Sequence, residues 1–260
     1  MSELARAVAF EEALRERCSE RIVPFRFGRA VFNDTFPDVW DLNVLRVYEP
    51  ASATVALLVD EAERLHGEAG HAHRRIALPD EEAGDRLADE FRALGWQVDR
   101  FLYMVYRGDE RSAATRTVEE VNPAALRPLR EELSRGEPWG ADPGVVERIL
   151  DAGELVARTA DARHFAARVE GEVASGADLF SDGRTAQIED VATHPGFRGR
   201  GLASAVVLRA AAEALAAGHD FVFLIADDGD WPKELYGRLG FAPLGRKWQF
   251  LRKPARDEPA

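Results

Sequence analysis

The residues best suited to chemistry lie in Arg198-Gly-Arg-Gly-Leu-Ala203, which follows a strand-like run and opens a helix-like one. In that context backbone N–H groups and the positive end of a helix dipole can hold a pyrophosphate. Gly199 and Gly201 permit close approach and positive φ, Arg198 and Arg200 add local positive charge, and Leu202, Ala203 and Ser204 form the first helical turn, where Ala203 leaves room for a ligand. Two other phosphate readings fit less well. A dinucleotide fingerprint needs a third glycine and an acidic residue closing the next strand about twenty residues on, and a P-loop needs Gly-Lys-Ser/Thr; Gly201 is followed by Leu202, Ala203 and Ser204 instead.

The elements that must position this loop read as Thr185–Thr193 (strand), Leu202–Ala217 (helix), Phe221–Ile225 (strand) and Trp231–Leu239 (helix). A similar series runs earlier: a strand over Val39–Val47, a helix over Thr54–His66, a strand over Arg74–Leu78 and a helix over Glu81–Leu94. The two helix ends match, Phe91-Arg-Ala-Leu-Gly-Trp96 against Tyr236-Gly-Arg-Leu-Gly-Phe241. Both predict a helix stopped by a glycine and followed by a strand. Between the copies, Thr115–Val121 reads as a strand, Ala124–Ser134 and Pro143–Arg158 as helices, and Arg163–Val169 with Glu172–Phe180 as a hairpin around Glu170-Gly171. The expected class is α+β, or mixed α/β, in two related lobes: 1–108, a linker over 109–114, and 115–260.

Composition bounds the rest. With 46% hydrophobic and 31% charged residues the chain reads as an ordinary globular protein. A formal net charge of −12 argues against a general nucleic-acid binder. A single cysteine, Cys18, excludes an internal disulfide framework, and Met1 to Phe25 lacks the apolar core of a secretory signal, so a cytoplasmic protein is expected. Leu202–Ala217, the longest apolar stretch, is broken by Arg209 and Glu213 and is too short to span a bilayer. His66, His71 and His73 have no cysteine or carboxylate at metal-ligand spacing; they read as surface residues and no metal site is expected.

The loop, with Arg198, Gly201 and Ala203 in the places of Gln/Arg-x-x-Gly-x-Gly/Ala, resembles the GNAT superfamily of N-acetyltransferases. Ile188-Glu-Asp-Val-Ala-Thr-His-Pro195 before it and Leu235-Tyr-Gly-Arg-Leu-Gly-Phe241 after it strengthen the likeness. The resemblance covers about Thr115 to Lys253, with a weakened copy over Val23 to Arg107. It implies acetyl-CoA as acyl donor, bound by Arg198 to Ser204 at its pyrophosphate and by the backbone of Val191, Ala192 and Thr193 at its pantetheine arm and thioester. It also implies Tyr236 as the acid that protonates the departing thiolate. Glu189, on the strand beside that centre, is a candidate base or a structural carboxylate; alternation turns Asp190 to the other face. In the first copy Val47-Tyr-Glu-Pro-Ala-Ser-Ala53 replaces the loop, and Pro50 has no N–H while Glu49 would repel phosphate, so that copy is expected to bind no CoA.

One stretch departs from the family pattern. Where many members carry an asparagine and an alanine, this chain has Asp227-Asp-Gly-Asp-Trp-Pro-Lys233, in which Asp230 reads as a helix cap; the acidic run would also suit a cationic amine. Two functions remain: an N-acetyltransferase acting on a small-molecule or protein amine, or a non-catalytic acyl-CoA sensor that contacts a partner. The acceptor, and the choice between monomer and homodimer, stay open.

Overall fold

In the computed structural model, residues 1–108 and 117–254 are described. The expected linker at 109–114 lies outside them. The chain divides into two compact units, each assembled from separate segments. The smaller comprises Arg15–Leu102, Asp227–Gly229 and Gly245–Ala260; the larger comprises Met1–Leu14, Tyr103–Ala226 and Asp230–Leu244. The units therefore do not follow the boundaries expected at 108 and 115: the chain's first residues group with the larger unit and its last with the smaller.

In the smaller unit, β1 (Arg21–Phe25) and β2 (Gly28–Phe32) form an antiparallel hairpin, β3 (Val44–Val47) continues it antiparallel to β2, and β4 (Arg74–Leu78) pairs parallel to β3. The C-terminal part of β11 (Phe241–Arg252) then pairs antiparallel with β4, from Trp248↔Leu78 to Arg252↔Arg74. Helices α2 (Val55–Glu68) and α3 (Glu81–Ala93) begin at Thr54 and Asp80, whose side chains accept from the N–H of Leu57 and Ala83. Phe27, Leu45, Leu58, Ile76, Phe91 and Phe250 centre its apolar core. Only the last four residues of the strand expected at Val39–Val47 are extended. Trp40–Leu42 is a 3₁₀ turn, and the buried Asn43 side chain holds the preceding loop by donating to the carbonyls of Phe36 and Val39.

The larger unit opens with Met1–Leu14, which holds α1 (Glu3–Cys18) as far as Leu14. After β5 (Gln97–Tyr106) come β6 (Glu119–Val121), α4 (Arg127–Arg135), α5 (Pro143–Thr159), β7 (Arg163–Val169), β8 (Glu172–Asp182), β9 (Thr185–Thr193), α6 (Leu202–Ala216), β10 (Phe221–Asp227) and α7 (Pro232–Arg238). Strands β6 to β9 run as an antiparallel series, and β10 pairs parallel to β9. The β7–β8 turn takes the form the sequence predicts, with Glu170 at φ 52° and Gly171 at φ 89°. The helix expected at Ala124–Ser134 instead begins with a 3₁₀ turn at Pro123–Ala125.

Both units follow the expected mixed class, strands in a central sheet flanked by helices. Helix α6 lies against β7, β8 and β9, burying Leu202, Val206, Val207 and the small side chains of Ala205, Ala210 and Ala211. Alanines on that face let helix and sheet approach closely. Helix α1 pins the starts of β9 and β10: Arg6 donates to Thr185 Oγ1 at 2.8 Å and to Asp220 Oδ1 at 2.6 Å. No described helix is long and apolar enough to cross a membrane.

Candidate functional site

The site begins where β9 and β10 part. Their ladder pairs Thr185–Ile188 with Phe221–Leu224, yet β9 continues to Thr193 and β10 to Asp227. Residues 189–193, Val191, Ala192 and Thr193 among them, run past it and are partly exposed. Their other edge is held by β8, where Ser175 Oγ bonds Ala192 O at 2.7 Å and Thr193 Oγ1 at 2.8 Å.

A bulge interrupts that edge. The β8–β9 register steps from Gly176↔Ala192 to Asp178↔Glu189, placing Asp190 and Val191 opposite the single residue Ala177. Asp190 takes φ 50° to make the step. Strict alternation therefore fails at this point, and Asp190 is exposed while Glu189 is half-buried. The expectation that alternation alone fixes the Asp190 face does not hold.

Glu189 accepts a hydrogen bond from the Gln187 side chain. Its charge also reaches Tyr236 on α7, a residue 9% exposed. Burial, with the Glu189 charge second, pushes the Tyr236 phenol up to about 12, so it keeps its proton through the physiological range. The two side chains singled out for proton transfer are thus within electrostatic reach of each other.

Facing Glu189 across the ladder is Asp178, fully buried. It meets His164 Nδ1 at 2.7 Å and Arg130 at 2.6 Å, and Arg130 lies 3.8 Å from Asp190. The sequence reading missed this network. Its residues lie on α4, β7 and β8, and none sits at a spacing that would mark it in sequence.

The glycine loop has the backbone form its residues require. Gly199 and Gly201 stand at φ 74° and 75°, and open space surrounds the Cβ position of each. Gly201 is the N-cap of α6, and no side chain caps that helix end. Its first N–H groups are left to solvent or to an anion. Arg198 and Arg200 are exposed; the Arg198 Nε approaches Thr193 O at 3.4 Å, and the Arg200 guanidinium lies over the Phe197 ring. Leu202 is buried as a packing residue, and Ala203 and Ser204 are half-buried beside it.

Three further expectations change. Asp230 is not the cap of α7; Trp231 occupies that position, and among the described residues Asp230 Oδ1 accepts only the Trp231 N–H, at 2.7 Å. Asp228 is 5% exposed and ion-paired with Arg100 at 2.7 Å and Arg246 at 2.8 Å, so it serves the smaller unit's structure, not an amine. His66, His71 and His73 are buried rather than on the surface. His194, just past the end of β9, caps the turn at Pro195–Phe197, its Nδ1 accepting from Gly196 N at 3.0 Å.

Comparison with known proteins now decides the family. Residues 126–241 match the acetyltransferase (GNAT) family, a span holding Glu189, the loop and Tyr236. This part of the chain is a GNAT domain. Solved structures extend the likeness of fold to most of the chain. A conserved protein of unknown function from Staphylococcus epidermidis ATCC 12228 is 16% identical, with a TM-score of 0.73, and the match covers 91% of this chain and 95% of that one. A GCN5-related N-acetyltransferase from Kribbella flavida is 19% identical, with a TM-score of 0.64 over 96% and 95%. A tandem GNAT protein from the clavulanic acid biosynthesis pathway is 15% identical, with a TM-score of 0.55 over 88% and 79%. Among curated proteins nothing matches. In the GNAT domain, as the residues above show, the uncapped helix end and the splayed strand share one chain segment, Glu189 to Ser204.

Proposed function

We propose that the chain moves an acetyl group from acetyl-CoA to the primary amine of a small molecule or protein, by direct attack within a ternary complex. The observation that supports this reading most is the α6 N-terminus, left without a side-chain cap behind two left-handed glycines. It suits a pyrophosphate, with Arg198 and Arg200 adding charge. The backbone of Val191 to Thr193, past the end of the β9–β10 ladder, suits the pantetheine amides and the thioester carbonyl.

Glu189 would take the amine proton as the nitrogen attacks the thioester carbonyl carbon. A C–N bond forms, the tetrahedral intermediate collapses, and the C–S bond breaks. Tyr236 would give its phenolic proton to the leaving sulfur, then recover one from solvent. Burial keeps that phenol protonated until it is used. The test is a panel of primary amines, small molecules and lysine peptides, assayed for release of free CoA thiol. Turnover with at least one class, requiring an intact loop, supports the reading. Tight acyl-CoA binding with no turnover on any amine would replace it with the sensor.

A further inference from the structure

Three histidines unused by acyl transfer gather in the smaller unit. His66 is on the last turn of α2, and His71 and His73 follow on the turn into β4. They are 0%, 6% and 2% exposed, and one ligating nitrogen from each lies within 4.8 Å of the others. The spacing H-x₄-H-x-H carries no metal signature in sequence; the helix-to-strand reversal creates the cluster.

We propose that His66, His71 and His73 bind one transition-metal dication of the zinc class. The ring nitrogens are arranged for it. The His73 Nε2–H donates to the Asn43 carbonyl at 3.1 Å, leaving Nδ1 as that ring's lone pair. His66 Nε2 stands 3.3 Å from the Arg75 carbonyl and 3.2 Å from the Arg75 N–H. In the tautomer that donates to that carbonyl, in place of the one that accepts the Arg75 N–H, His66 Nδ1 carries the lone pair a metal needs. Metal-bound histidines characteristically anchor their second nitrogen on a backbone carbonyl in this way. The Nδ1 atoms of His66 and His71 are 3.2 Å apart, close to the roughly 3.3 Å edge of a tetrahedron with Zn–N bonds of about 2.0–2.1 Å. From a 4.8 Å spread, no pair need close by more than about 1.5 Å to reach that edge.

Hydrogen bonding alone does not account for the cluster. Among the described residues His71 Nε2 is buried with no hydrogen-bond partner, so this ring can turn either nitrogen to the metal. Three imidazoles, with no thiolate or carboxylate in the set, suit Zn²⁺, Co²⁺, Ni²⁺ or Cu²⁺ over Mg²⁺ or Ca²⁺. Burial holds all three rings below their usual pKa, in the neutral form a metal requires. The charges facing the cluster are Arg21 paired with Asp34, Arg74 with Glu63 and Arg75 with Asp41, together with Asp38. Phe32 lies edge-on to His66 and His71, and Trp40 stacks on His73. Such apolar walls and buried ligands mark a structural pin holding α2, its turn and β4 together.

The test uses the full chain, stripped with a chelator and titrated with Co²⁺ and then Zn²⁺. The expected result is one equivalent per chain, visible bands of nitrogen-ligated tetrahedral Co²⁺ that Zn²⁺ bleaches, and a raised Tm. His71→Gln and His73→Gln should each weaken Zn²⁺ binding at least tenfold while far-UV circular dichroism and acetyl-CoA binding stay unchanged. If a variant does not fold, histidine side-chain NMR of the wild-type chain decides, because Zn²⁺ should move three ring signals together. Absence of the Co²⁺ bands and of any Tm change overturns the proposal. So does metal binding that persists in both folded variants or leaves the three ring signals in place.

Discussion

Two strand-to-helix connections in this chain look alike in outline and differ where a ligand would be felt. After β3 a 3₁₀ turn at Pro50–Ser52 leads to α2, and after β9 a 3₁₀ turn at Pro195–Phe197 leads to α6. The first closes on itself: the Thr54 hydroxyl accepts the Leu57 N–H at 3.3 Å, and Arg86 donates to the carbonyls of Ala53 and Pro50 at 3.0 and 3.1 Å. The second stays open, with Gly199 and Gly201 in the left-handed region and no side chain on the helix end. The same connection can thus finish its own hydrogen bonds or hold them ready for an anion. Further along each series the helix ends agree: Gly95 and Gly240 stand at φ 79° and 97°, with Phe91 edge-on to Trp96 and Tyr236 edge-on to Phe241. The contrast is confined to the connections.

The largest expected effect breaks the open connection. Gly201→Glu should abolish acetyl-CoA binding in calorimetry, because it places a carboxylate at the anion site. At φ 75° any side chain is strained, so Gly201→Ala is the control: it should weaken binding less than the glutamate variant. The wild-type chain should bind one equivalent, and a stoichiometry of two would show that the closed connection also takes a cofactor.

Next in size is Tyr236→Phe. Turnover should fall on the order of 10²-fold or more with little change in acetyl-CoA affinity, as loss of a positioned acid does. Near-native turnover at saturating substrates, with chemistry rate-limiting, would leave Tyr236 only its packing role. The Phe91 ring at the other helix end carries no hydroxyl and has no such proton to give.

The same hydroxyl leaves a mark on stability. Its folded pKa of about 12 exceeds the unfolded value of 10.0, so between those pH values the unfolded phenol releases a proton that the folded one keeps. That contribution is fully present below pH 10 and is lost as pH rises through 12, about 3 kcal/mol in all. Denaturant melts at pH 9 and 12 should therefore show the wild-type chain losing about 2 kcal/mol more stability than Tyr236→Phe, the rest going above pH 12. Equal losses in both would remove the buried-phenol account.

Much of this was legible because the determinants are local. Period-two and period-3.6 patterns gave β9, β10 and α6 nearly to the residue, and two glycines beside two arginines marked the loop. Helix α1 was not expected, although Ala7, Phe10, Leu14 and Cys18 recur every three or four residues and all are buried. The bulge at Asp190 was not legible: an aspartate at φ 50° is a tertiary compromise that no neighbouring residue announces. Nor was the burial of the three histidines, whose polarity suggests a surface until the turn before β4 folds them onto Phe32. Asp230 misled because a good capping residue two places before Pro232 meets only one N–H among the described residues, that of Trp231.

The smallest expected effect tests the closed connection. Thr54→Ala removes the one side-chain oxygen on the α2 end and frees the Leu57 N–H. Loss of such a cap typically costs about 1 kcal/mol. The bond is long and exposed, which favours the lower part of that range, and Arg86 continues to hold the carbonyls behind it. Equilibrium denaturation should show the loss, while acetyl-CoA affinity and stoichiometry stay at their wild-type values. Two results would contradict the contrast. If stability does not change, the cap does not close this helix end and the two connections differ less than their geometry suggests. If a second equivalent of acetyl-CoA now binds, the hydroxyl alone kept the anion out, and the absence of left-handed glycines after β3 is not what separates the two helix ends.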